Sequence, residues 1–361
     1  MAGDLGTATS TDLPTSGMRV LRKDRPVAAD WSGHGRTVLP IRQHEPTAVK
    51  GVILAGGTGS RLHPLTAVVS KHLLPVHDKP MVFYPLATLL EAGISEILVV
   101  STPRDTPAYR QLLGDGSHLG IRLEYAVQTR PGGIAEGVLV AEEFCAGEPM
   151  ALILGDNIFH GPLGLDLIHT GFTDGDGAVV WAYPVPDPER FGIVTLDGRG
   201  LPVDIVEKPA DPMSNLAVAG LYVIDGSGPD RVRGLRPSPR GELEITDLNR
   251  SYLEDTSLRV VDLSGSVSRV TWLDAGTPGA LLEASTTVAA LESSGGGPVG
   301  CPEEVAWRKG HIDADGLAAA IAGLPTGPYR TRLEGLLTVD LTAGGSSPVP
   351  EGRPKAQISS R

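Results

Sequence analysis

From residue 50 onward, short apolar runs that are typical of buried strands alternate with stretches of helical periodicity. The strand-like runs are Val52–Ala55, Ile97–Val100, Leu123–Val127 and Ala151–Leu154, and the helical stretches between them include Ala135–Phe144. Such alternation favours parallel strands, because each helix carries the chain back across one face of the sheet to begin the next strand. The sequence therefore predicts an α/β fold with a mostly parallel sheet and helices on both faces.

The chain becomes richer in strands after residue 156. Strand-like runs follow one another at Ala178–Tyr183, Gly192–Leu196, Val203–Glu207 and Val218–Ile224, and an Asp197-Gly198 turn joins the second run to the third. Helices are predicted beyond them at Ile245–Leu253, Ala280–Leu291 and Leu317–Leu324. The pattern indicates a β-rich segment followed by a small helical region.

A glycine-rich turn directly follows the first strand-like run. Gly56, Gly57 and Gly59 free the backbone to curl around a group that comes very close to it. Backbone N–H groups in such a turn form a concave anion site, and Arg61 and Lys71 add two cations near it in sequence. This combination suits a triphosphate better than a single phosphate.

Two other kinds of phosphate-binding loop do not fit this turn. A Walker loop needs a lysine directly after a glycine, and no lysine of this chain follows a glycine. A dinucleotide-binding turn needs a third glycine where this chain has Leu62, and an acidic residue after the next strand, where Ile97–Val100 continues into Ser101. A nicotinamide-dependent enzyme is therefore disfavoured. By itself, a Gly-Gly-x-Gly sequence is more often an ordinary tight connection between a strand and a helix.

The composition excludes several classes of protein. The chain has 361 residues and a formal net charge of −12, which argues against a general binder of nucleic acids or acidic membranes. Two cysteines, Cys145 and Cys301, make neither a disulfide framework nor a metal-binding spacing. No apolar run is long enough to span a bilayer. We therefore expect a cytoplasmic protein without nucleic-acid or membrane partners.

The glycine-rich turn opens an ordered series of motifs along the chain. They include Lys71-His-Leu-Leu-Pro75, Asp78-Lys-Pro-Met81, Leu113-Gly-Asp-Gly116, Leu154-Gly-Asp-Asn157, Asp187-Pro-Glu-Arg-Phe-Gly192, Glu207-Lys-Pro209, Arg240-Gly-Glu-Leu-Glu-Ile-Thr-Asp247 and Trp272-Leu-Asp-Ala-Gly-Thr277. In this series the chain resembles the sugar-1-phosphate nucleotidyltransferases, or nucleotide-sugar pyrophosphorylases, and most closely their glucose-1-phosphate thymidylyltransferase branch. The resemblance covers roughly residues 50–337. It implies a Rossmann-like core with a β-rich sugar-binding insertion, Mg²⁺ as cofactor, and a homotetramer.

Four regions of the chain follow from the pattern and the resemblance together. Residues 1–48 are polar and without sustained periodicity, which predicts a flexible N-terminal extension. Residues 49–292 are predicted to form the nucleotidyltransferase catalytic domain. Residues 293–340 are expected to be a C-terminal helical region, and residues 341–361 a flexible tail.

The reaction that the resemblance implies is attack by a sugar-phosphate oxygen on the α-phosphorus of a nucleoside triphosphate, which releases pyrophosphate. Because two anions must meet in line, charge neutralisation and positioning are the main catalytic tasks. By the resemblance, Arg61 and Lys71 are the catalytic cations, and Asp156 and Asp274 hold Mg²⁺. The implied nucleotide-binding residues are Leu54, Gly56, Gly57, Gly59, Gln128, Gly133, Ile134 and Glu136. The implied sugar-phosphate-binding residues are Asn157, Gly192, Glu207, Lys208, Val218 and Trp272.

The base-binding segment departs from the thymidylyltransferase pattern at two positions. The family typically has Asp where this chain has Gly132, and Gln where it has Glu136. We expect the loss of a side chain at residue 132 to enlarge the base pocket. A carboxylate at residue 136 offers acceptors only, which suits the adjacent N–H and NH₂ donors of guanine.

The sugar-binding segment departs in the same way, with Leu216 and Ala219 where the family usually has Tyr and Thr. A site with fewer hydroxyl groups favours a less hydroxylated or ring-altered substrate, because unpaired buried polar groups are costly. Together the departures favour guanylyl transfer to a cyclitol 1-phosphate, of the valienol-1-phosphate type, in antibiotic biosynthesis. The alternative is dTDP-glucose synthesis from dTTP and glucose 1-phosphate.

A further alternative is a catalytically silent regulatory subunit that binds a nucleotide sugar. Such homologues usually lose a loop cation or a metal carboxylate, and this chain retains all four of the implied charged residues. His63, His72 and His77 lie close together, but their spacing fits no helical pair of metal ligands. We expect these histidines to be peripheral.

Overall fold

The computed structural model describes residues 19–20, 49–170, 177–266, 269–294 and 297–342. The predicted N-terminal extension lies largely outside these residues. The predicted C-terminal tail does so as well, except that residues 341–342 are the end of a helix.

Fourteen strands and eleven α-helices make up the described chain. The strands are β1 (Arg19–Val20), β2 (Lys50–Leu54), β3 (Pro75–Val76), β4 (Lys79–Pro80), β5 (Glu96–Ser101), β6 (Arg122–Val127), β7 (Met150–Leu154), β8 (Asn157–His160), β9 (Ala178–Pro184), β10 (Gly192–Leu196), β11 (Pro202–Glu207), β12 (Leu216–Ile224), β13 (Leu258–Asp262) and β14 (Thr271–Asp274). The helices are α1 (Phe83–Glu91), α2 (Thr106–Leu113), α3 (Ile134–Val140), α4 (Glu142–Cys145), α5 (Leu167–Thr170), α6 (Gly228–Arg233), α7 (Ile245–Glu254), α8 (Pro278–Ser293), α9 (Pro302–Arg308), α10 (Ala314–Ala322) and α11 (Pro328–Thr342).

The centre of the main sheet is parallel, in the order β7-β2-β5-β6. Val52 of β2 pairs with Leu98 of β5 on one side and with Leu152 of β7 on the other. These strands read as continuous apolar runs because helices cover both faces of the sheet. The α/β fold that the alternation predicts is confirmed.

The β-rich segment extends this sheet with antiparallel strands. Strand β12 lies between β7 and β9 and is antiparallel to both, while β13 is parallel to β9. The β10–β11 hairpin pairs with β12 through β10. Asp197 shapes the hairpin turn, since its Oδ1 accepts hydrogen bonds of 2.8 Å from the N–H groups of Arg199 and Leu201. The mixed sheet is therefore parallel where the phosphate loop is expected and mostly antiparallel beyond it.

Each face of the sheet carries its own apolar core. Ile53, Ile153 and Trp181 belong to the core that packs against α1, and adjacent residues such as Val52 and Leu152 belong to the core on the opposite face. Burying one such aliphatic side chain fully is worth about 1.5–3 kcal/mol.

The helix predicted at residues 135–144 is present as two consecutive helices, α3 and α4. Ala141, which lies between them, is the one residue that belongs to neither.

The C-terminal helices are tied to the β3–β4 hairpin by a cluster of ion pairs. Lys79 is almost fully buried between Asp78 and Glu292, and its Nζ lies 3.1 Å from a Glu292 oxygen. Arg332 of α11 reaches Asp78 at 2.6 Å and Glu292 at 2.7 Å. Since α9 also packs against α1, the helical region is anchored to the main domain. Within the described residues, no helix has both the length and the apolar character to cross a membrane.

Candidate active site

A cleft of about 340 Å³ opens at the carboxyl ends of β2, β6 and β7, the edge where ligands bind in open α/β sheets. Its lining gathers most of the residues that the sequence singled out. They are Leu54, Gly56, Gly57, Arg61, Lys71, Gln128, Gly133, Ile134, Asp156, Asn157, Gly192, Glu207, Lys208, Val218, Trp272 and Asp274. Of the predicted site residues, all of which are described, Gly59 and Glu136 are not part of this lining.

The glycine-rich turn begins where β2 ends and leads into a short 3-10 turn at Ser60–Leu62. Gly57 and Gly59 have φ angles of 92° and 61°, which side-chain-bearing residues rarely adopt. The hydroxyl of Thr66 donates a hydrogen bond of 2.8 Å to the carbonyl of Gly59 and holds the turn closed. Gly59 therefore shapes the turn, while Gly56 and Gly57 face the cleft.

Lys71, Asp156 and Asp274 meet at the floor of the cleft. The Nζ of Lys71 donates to Oδ2 of Asp156, and β14 places Asp274 beside the start of β8. Burial alone would raise the pKa of Asp156, but the Lys71 ammonium holds it well below its usual value. The pKa of Asp274 is raised, by burial and then by the Asp156 charge. A buried and a part-buried carboxylate thus repel each other while the Lys71 charge attracts both, which is a donor set suited to a hard divalent cation.

Asn157 fixes the orientation of this floor. Its Nδ2 donates to Oδ1 of Asp156 at 3.1 Å, and its Oδ1 accepts from Gly220 N–H at 3.2 Å and from Trp272 Nε1 at 2.6 Å. The Trp272 ring also makes an edge-to-face contact with Phe191, with ring centroids 5.4 Å apart. Asn157 therefore connects the carboxylate floor to the aromatic wall of the cleft.

The opposite end of the cleft is built around Glu207. Its Oε2 accepts a hydrogen bond of 2.6 Å from the Thr246 hydroxyl, and its Oε1 accepts one of 2.8 Å from Lys208 Nζ. Burial would raise the pKa of Glu207, but these two donors lower it overall. Lys208 has a φ of 43°, a strained conformation for a lysine, of the kind often found at functional sites. A Cβ at Gly192 would crowd the Thr246 hydroxyl, so glycine keeps the cleft open there.

The predicted base end of the cleft contains Gln128, Gly133 and Ile134, and Glu136 is bonded to Gln128 without being part of the lining. Gln128 Nε2 donates to Oε2 of Glu136 at 2.6 Å, while Arg130 Nε donates to Oε1 at 3.0 Å. A Cβ at Gly132 would overlap the Glu136 carboxyl group. The expectation that the missing side chain at residue 132 enlarges the pocket is therefore wrong, because the Glu136 carboxylate fills that space.

Neither departure in the predicted sugar-binding segment is part of the cleft lining. Ala219 is fully buried in the core on one face of the sheet, and Leu216 packs against the core on the other. Val218, Gly220 and Tyr222 of the same strand are the residues that reach the cleft. The predicted loss of a hydroxyl group is therefore wrong for Ala219, while Leu216 lies on the same face as Val218 and Tyr222 without lining the cleft.

His72 contradicts the expectation that the three histidines are peripheral. It is 1% exposed and lines the cleft, and its Nδ1 lies 3.3 Å from both the Ser70 and the Tyr109 hydroxyl groups. Burial, reinforced by the Lys71 charge, lowers the pKa of His72 to about 3. His72 is therefore a neutral part of the cleft floor, and its place next to Lys71 in sequence was the available signal.

Asn249 is a second residue that the sequence did not single out. It lies on α7, one turn beyond Thr246, and is 1% exposed at the edge of the cleft. Neither its Nδ2 nor its Oδ1 has a hydrogen-bond partner among the described residues. An unpaired buried carboxamide is rare in proteins, and it is available to a bound molecule or to water.

Comparison with known proteins identifies the family. Residues 50–290 match the nucleotidyl transferase family over about two thirds of the chain. The chain belongs to this family. A glucose-1-phosphate thymidylyltransferase of Xanthomonas campestris pv. campestris (strain B100) is 46% identical over 290 residues, which cover 80% of this chain and 97% of that protein. That of Mycolicibacterium smegmatis is 49% identical over 270 residues, which cover 75% and 92%.

Solved structures agree with this assignment. A crystal structure described as a putative glucose-1-phosphate thymidylyltransferase from Bacillus anthracis, in complex with sucrose, superposes with a TM-score of 0.62 at 39% identity, over 66% of this chain and 95% of that one. A UDP-glucose pyrophosphorylase complexed with UDP-glucose shares the fold, with a TM-score of 0.60 at 22% identity, over 68% and 99%. This nucleotidyltransferase is therefore an enzyme that converts a sugar 1-phosphate into a nucleoside diphosphate sugar.

Proposed function

We propose that this nucleotidyltransferase joins the α-phosphate of dTTP to glucose 1-phosphate, with Mg²⁺ as cofactor, and releases pyrophosphate. The observation that carries the mechanism is the meeting of Lys71, Asp156 and Asp274 beside the glycine-rich turn. The choice of substrates is supported by curated relatives at 44–49% identity, which are named for this reaction. It is also supported by the position of Leu216 and Ala219 outside the cleft lining.

The chain's own residues would act by positioning and charge. Backbone N–H groups near Gly56 and Gly57 would cradle the triphosphate, and Arg61 and Lys71 would neutralise the departing pyrophosphate. Lys208 would hold the phosphate of the acceptor. One oxygen of that phosphate forms the new bond to the α-phosphorus, as the bond from the α-phosphorus to the bridging oxygen of pyrophosphate breaks. No nucleophilic side chain takes part.

The residues present fit a divalent cation. Asp156 and Asp274 would hold Mg²⁺, since both side chains are mostly buried, and burial together with the Asp156 charge raises the pKa of Asp274. When bound, the metal would offset negative charge on the α-phosphate.

By resemblance to the family, we also propose that the enzyme is a cytoplasmic homotetramer. Light scattering on the purified chain would measure its mass in solution.

A second candidate is GTP with a cyclitol 1-phosphate. What favours it is the departure at residues 132 and 136 itself. The expectation that the Glu136 carboxylate accepts directly from guanine is wrong, because Glu136 is outside the cleft lining and its two oxygens accept from Gln128 and Arg130. This arrangement departs from the thymidylyltransferase pattern at the end of the cleft that would hold the base. This departure at the base end gives no information on which sugar or cyclitol 1-phosphate receives the nucleotide.

The test is pyrophosphate release by the purified enzyme with Mg²⁺. Five nucleotides, dTTP, UTP, GTP, ATP and CTP, are each combined with glucose 1-phosphate and with a cyclitol 1-phosphate. Highest kcat/KM for dTTP with glucose 1-phosphate supports the first proposal, and highest kcat/KM for GTP with the cyclitol phosphate supports the second. Release of no pyrophosphate from any pair would overturn both.

A further inference from the structure

The side-chain amide of Gln128 is held in one orientation. Its Nε2 donates to Oε2 of Glu136 at 2.6 Å and also lies 3.3 Å from the carbonyl oxygen of Gly133. Both of its partners are therefore acceptors. The amide oxygen, Oε1, lies on the other side, toward the glycine-rich turn, where a Cβ at Gly56 would be 3.4 Å from it.

Glu136 makes the reverse orientation unfavourable. A carboxylate accepts hydrogen bonds and cannot donate them, so rotating the Gln128 amide by 180° would set Oε1 against Oε2. The same rotation would set Oε1 against the Gly133 carbonyl. Loss of a hydrogen bond to a charged group corresponds to a preference of about tenfold to hundredfold for the observed orientation.

The Glu136 carboxylate is itself held in place from outside. Arg130, whose side chain is 79% exposed, donates to Oε1 at 3.0 Å, and the Glu136 side chain is only 14% exposed. The absence of a side chain at Gly132 provides the space that the carboxylate occupies. The position of the Glu136 carboxylate therefore requires a residue without a side chain at position 132, and this chain has Gly132 there.

An acceptor fixed at the base end of the cleft distinguishes between nucleobases by their ring nitrogen. Thymine and uracil present an N–H donor at N3, and guanine presents one at N1. The corresponding ring nitrogens of adenine and cytosine are acceptors and would face Oε1 without a hydrogen. The orientation of Gln128 therefore matches the first three bases and opposes the last two.

We propose that Glu136 is a positioning residue that locks the Gln128 amide with its oxygen toward the base, and so restricts this enzyme to nucleotides whose base carries a ring N–H. The accepted class is dTTP, UTP and GTP, and the rejected class is ATP and CTP. This inference rests on the proposed nucleotidyl transfer and deepens it. It holds for either of the two substrate pairs.

Glu136→Gln is the decisive variant, because a glutamine at residue 136 can bond to Gln128 in either orientation. We expect the ratio of kcat/KM for the accepted class over the rejected class to fall about tenfold or more. Glu142→Gln is the matched control, since it makes the same change at a partly exposed glutamate that pairs with Arg233 outside the cleft lining, and its ratio should stay within about twofold of the wild-type value. Thermal unfolding of each variant separates a loss of folding from a loss of selectivity.

Gln128→Met removes the amide that reads the base and provides the second comparison. In the Gln128→Met enzyme, adding Glu136→Gln should cause no further change in the selectivity ratio, because residue 136 then has no amide to orient. An equal change in kcat/KM for all five nucleotides in Glu136→Gln would overturn the proposal. So would a wild-type enzyme that prefers ATP or CTP.

Equilibrium binding keeps this inference separate from the proposed reaction. Titration calorimetry of the five nucleotides against wild-type enzyme and Glu136→Gln measures the same ratio from Kd values, without turnover. A wild-type protein that releases no pyrophosphate yet binds the accepted class more tightly would contradict the proposed function and support the orientation of Gln128 by Glu136. Equal Kd values for both classes would contradict that orientation.

Discussion

Lys71 and Asp156 form an ion pair at the floor of the cleft, with side chains that are 17% and 9% exposed. The two residues come from distant parts of the chain, the 3-10 turn before β3 and the end of β7. The pair places a positive charge beside two carboxylates. In the proposed reaction, this part of the cleft holds both a metal ion and a polyphosphate. Each partner is therefore expected to matter for stability before any substrate is bound.

Lys71→Met should destabilise the substrate-free enzyme. It leaves the buried Asp156 carboxylate without its ammonium partner, and breaking a buried pair in this way typically costs about 3–5 kcal/mol. Urea unfolding with and without Mg²⁺ measures the effect, and added Mg²⁺ should recover part of the loss. Lys309→Met, at a partly exposed lysine that pairs with Glu91, is the control and should change stability by less than about 1 kcal/mol. A Lys71→Met protein as stable as wild type would contradict the pairing.

Asp156→Asn and Asp274→Asn should each lower kcat/KM by about a thousandfold, because either change removes a charged oxygen ligand from the proposed metal site. Pyrophosphate release over a range of Mg²⁺ concentrations is the measurement, and a chelator should abolish activity until Mg²⁺ is restored. Asp211→Asn, at an exposed residue, is the matched control and should retain wild-type activity. Retention of activity by both cleft variants would rule out the metal assignment.

Much of the fold could be predicted from the sequence because it depends on local patterns. The parallel strands are continuous apolar runs, and Asp197 stands where a tight turn needs it. The cleft residues could be named only through the family motifs, since one aspartate after a strand is more often a helix cap. Lys71 and Asp156 lie 85 positions apart, and no periodicity connects them.

Other features of the site could not be predicted, for physical reasons. His72 lies in a 3-10 turn, where neither helical nor strand periodicity indicates which side chain points inward. The contact between Gln128 and Glu136 depends on how the loop between β6 and α3 folds back. The prediction for Ala219 is wrong because the residue type alone indicates a lost hydroxyl group, while strand alternation turns that position away from the cleft.

Gly132→Ala should reproduce the effect of Glu136→Gln by a different route. The added methyl group would displace the Glu136 carboxylate from its position beside Gln128, and the amide would then be free to rotate. We expect about a tenfold loss of selectivity for bases with a ring N–H over ATP and CTP. Gly198→Ala, at an exposed turn glycine with open space around it and no left-handed φ, controls for the general effect of replacing a loop glycine. Unchanged selectivity in Gly132→Ala would show that the carboxylate is not held by that gap.

His72 should make the enzyme less stable as the pH falls. Its pKa is about 3 in the folded protein and 6.5 in its ordinary environment, so the unfolded chain takes up a proton first. Stability from this residue is complete above pH 6.5 and is lost progressively below it, by about 2 kcal/mol at pH 5. Asp156, Asp105 and Lys71 are the charged groups that act on it. Urea unfolding at pH 7 and pH 5 should show a smaller difference for His72→Asn than for wild type.

An exposed histidine provides the control for that measurement. His118→Asn makes the same substitution at an exposed histidine outside the cleft lining, and its loss of unfolding free energy between pH 7 and pH 5 should equal that of wild type. If His72→Asn and wild type lose the same free energy between pH 7 and pH 5, His72 is not the neutral buried group described above.

Asn249→Leu should separate a structural role from a binding role. Leucine has a similar shape and no polar atoms, so replacing an unpaired buried carboxamide with it should be neutral or should raise the free energy of unfolding by about 1 kcal/mol. If bound substrate uses the amide, the same variant should raise KM for the acceptor by about tenfold while KM for the nucleotide stays unchanged. Thermal unfolding and initial rates over both substrates give the two readings. A large loss of stability would show instead that an ordered water already pairs with Asn249, because leucine could not replace its hydrogen bonds.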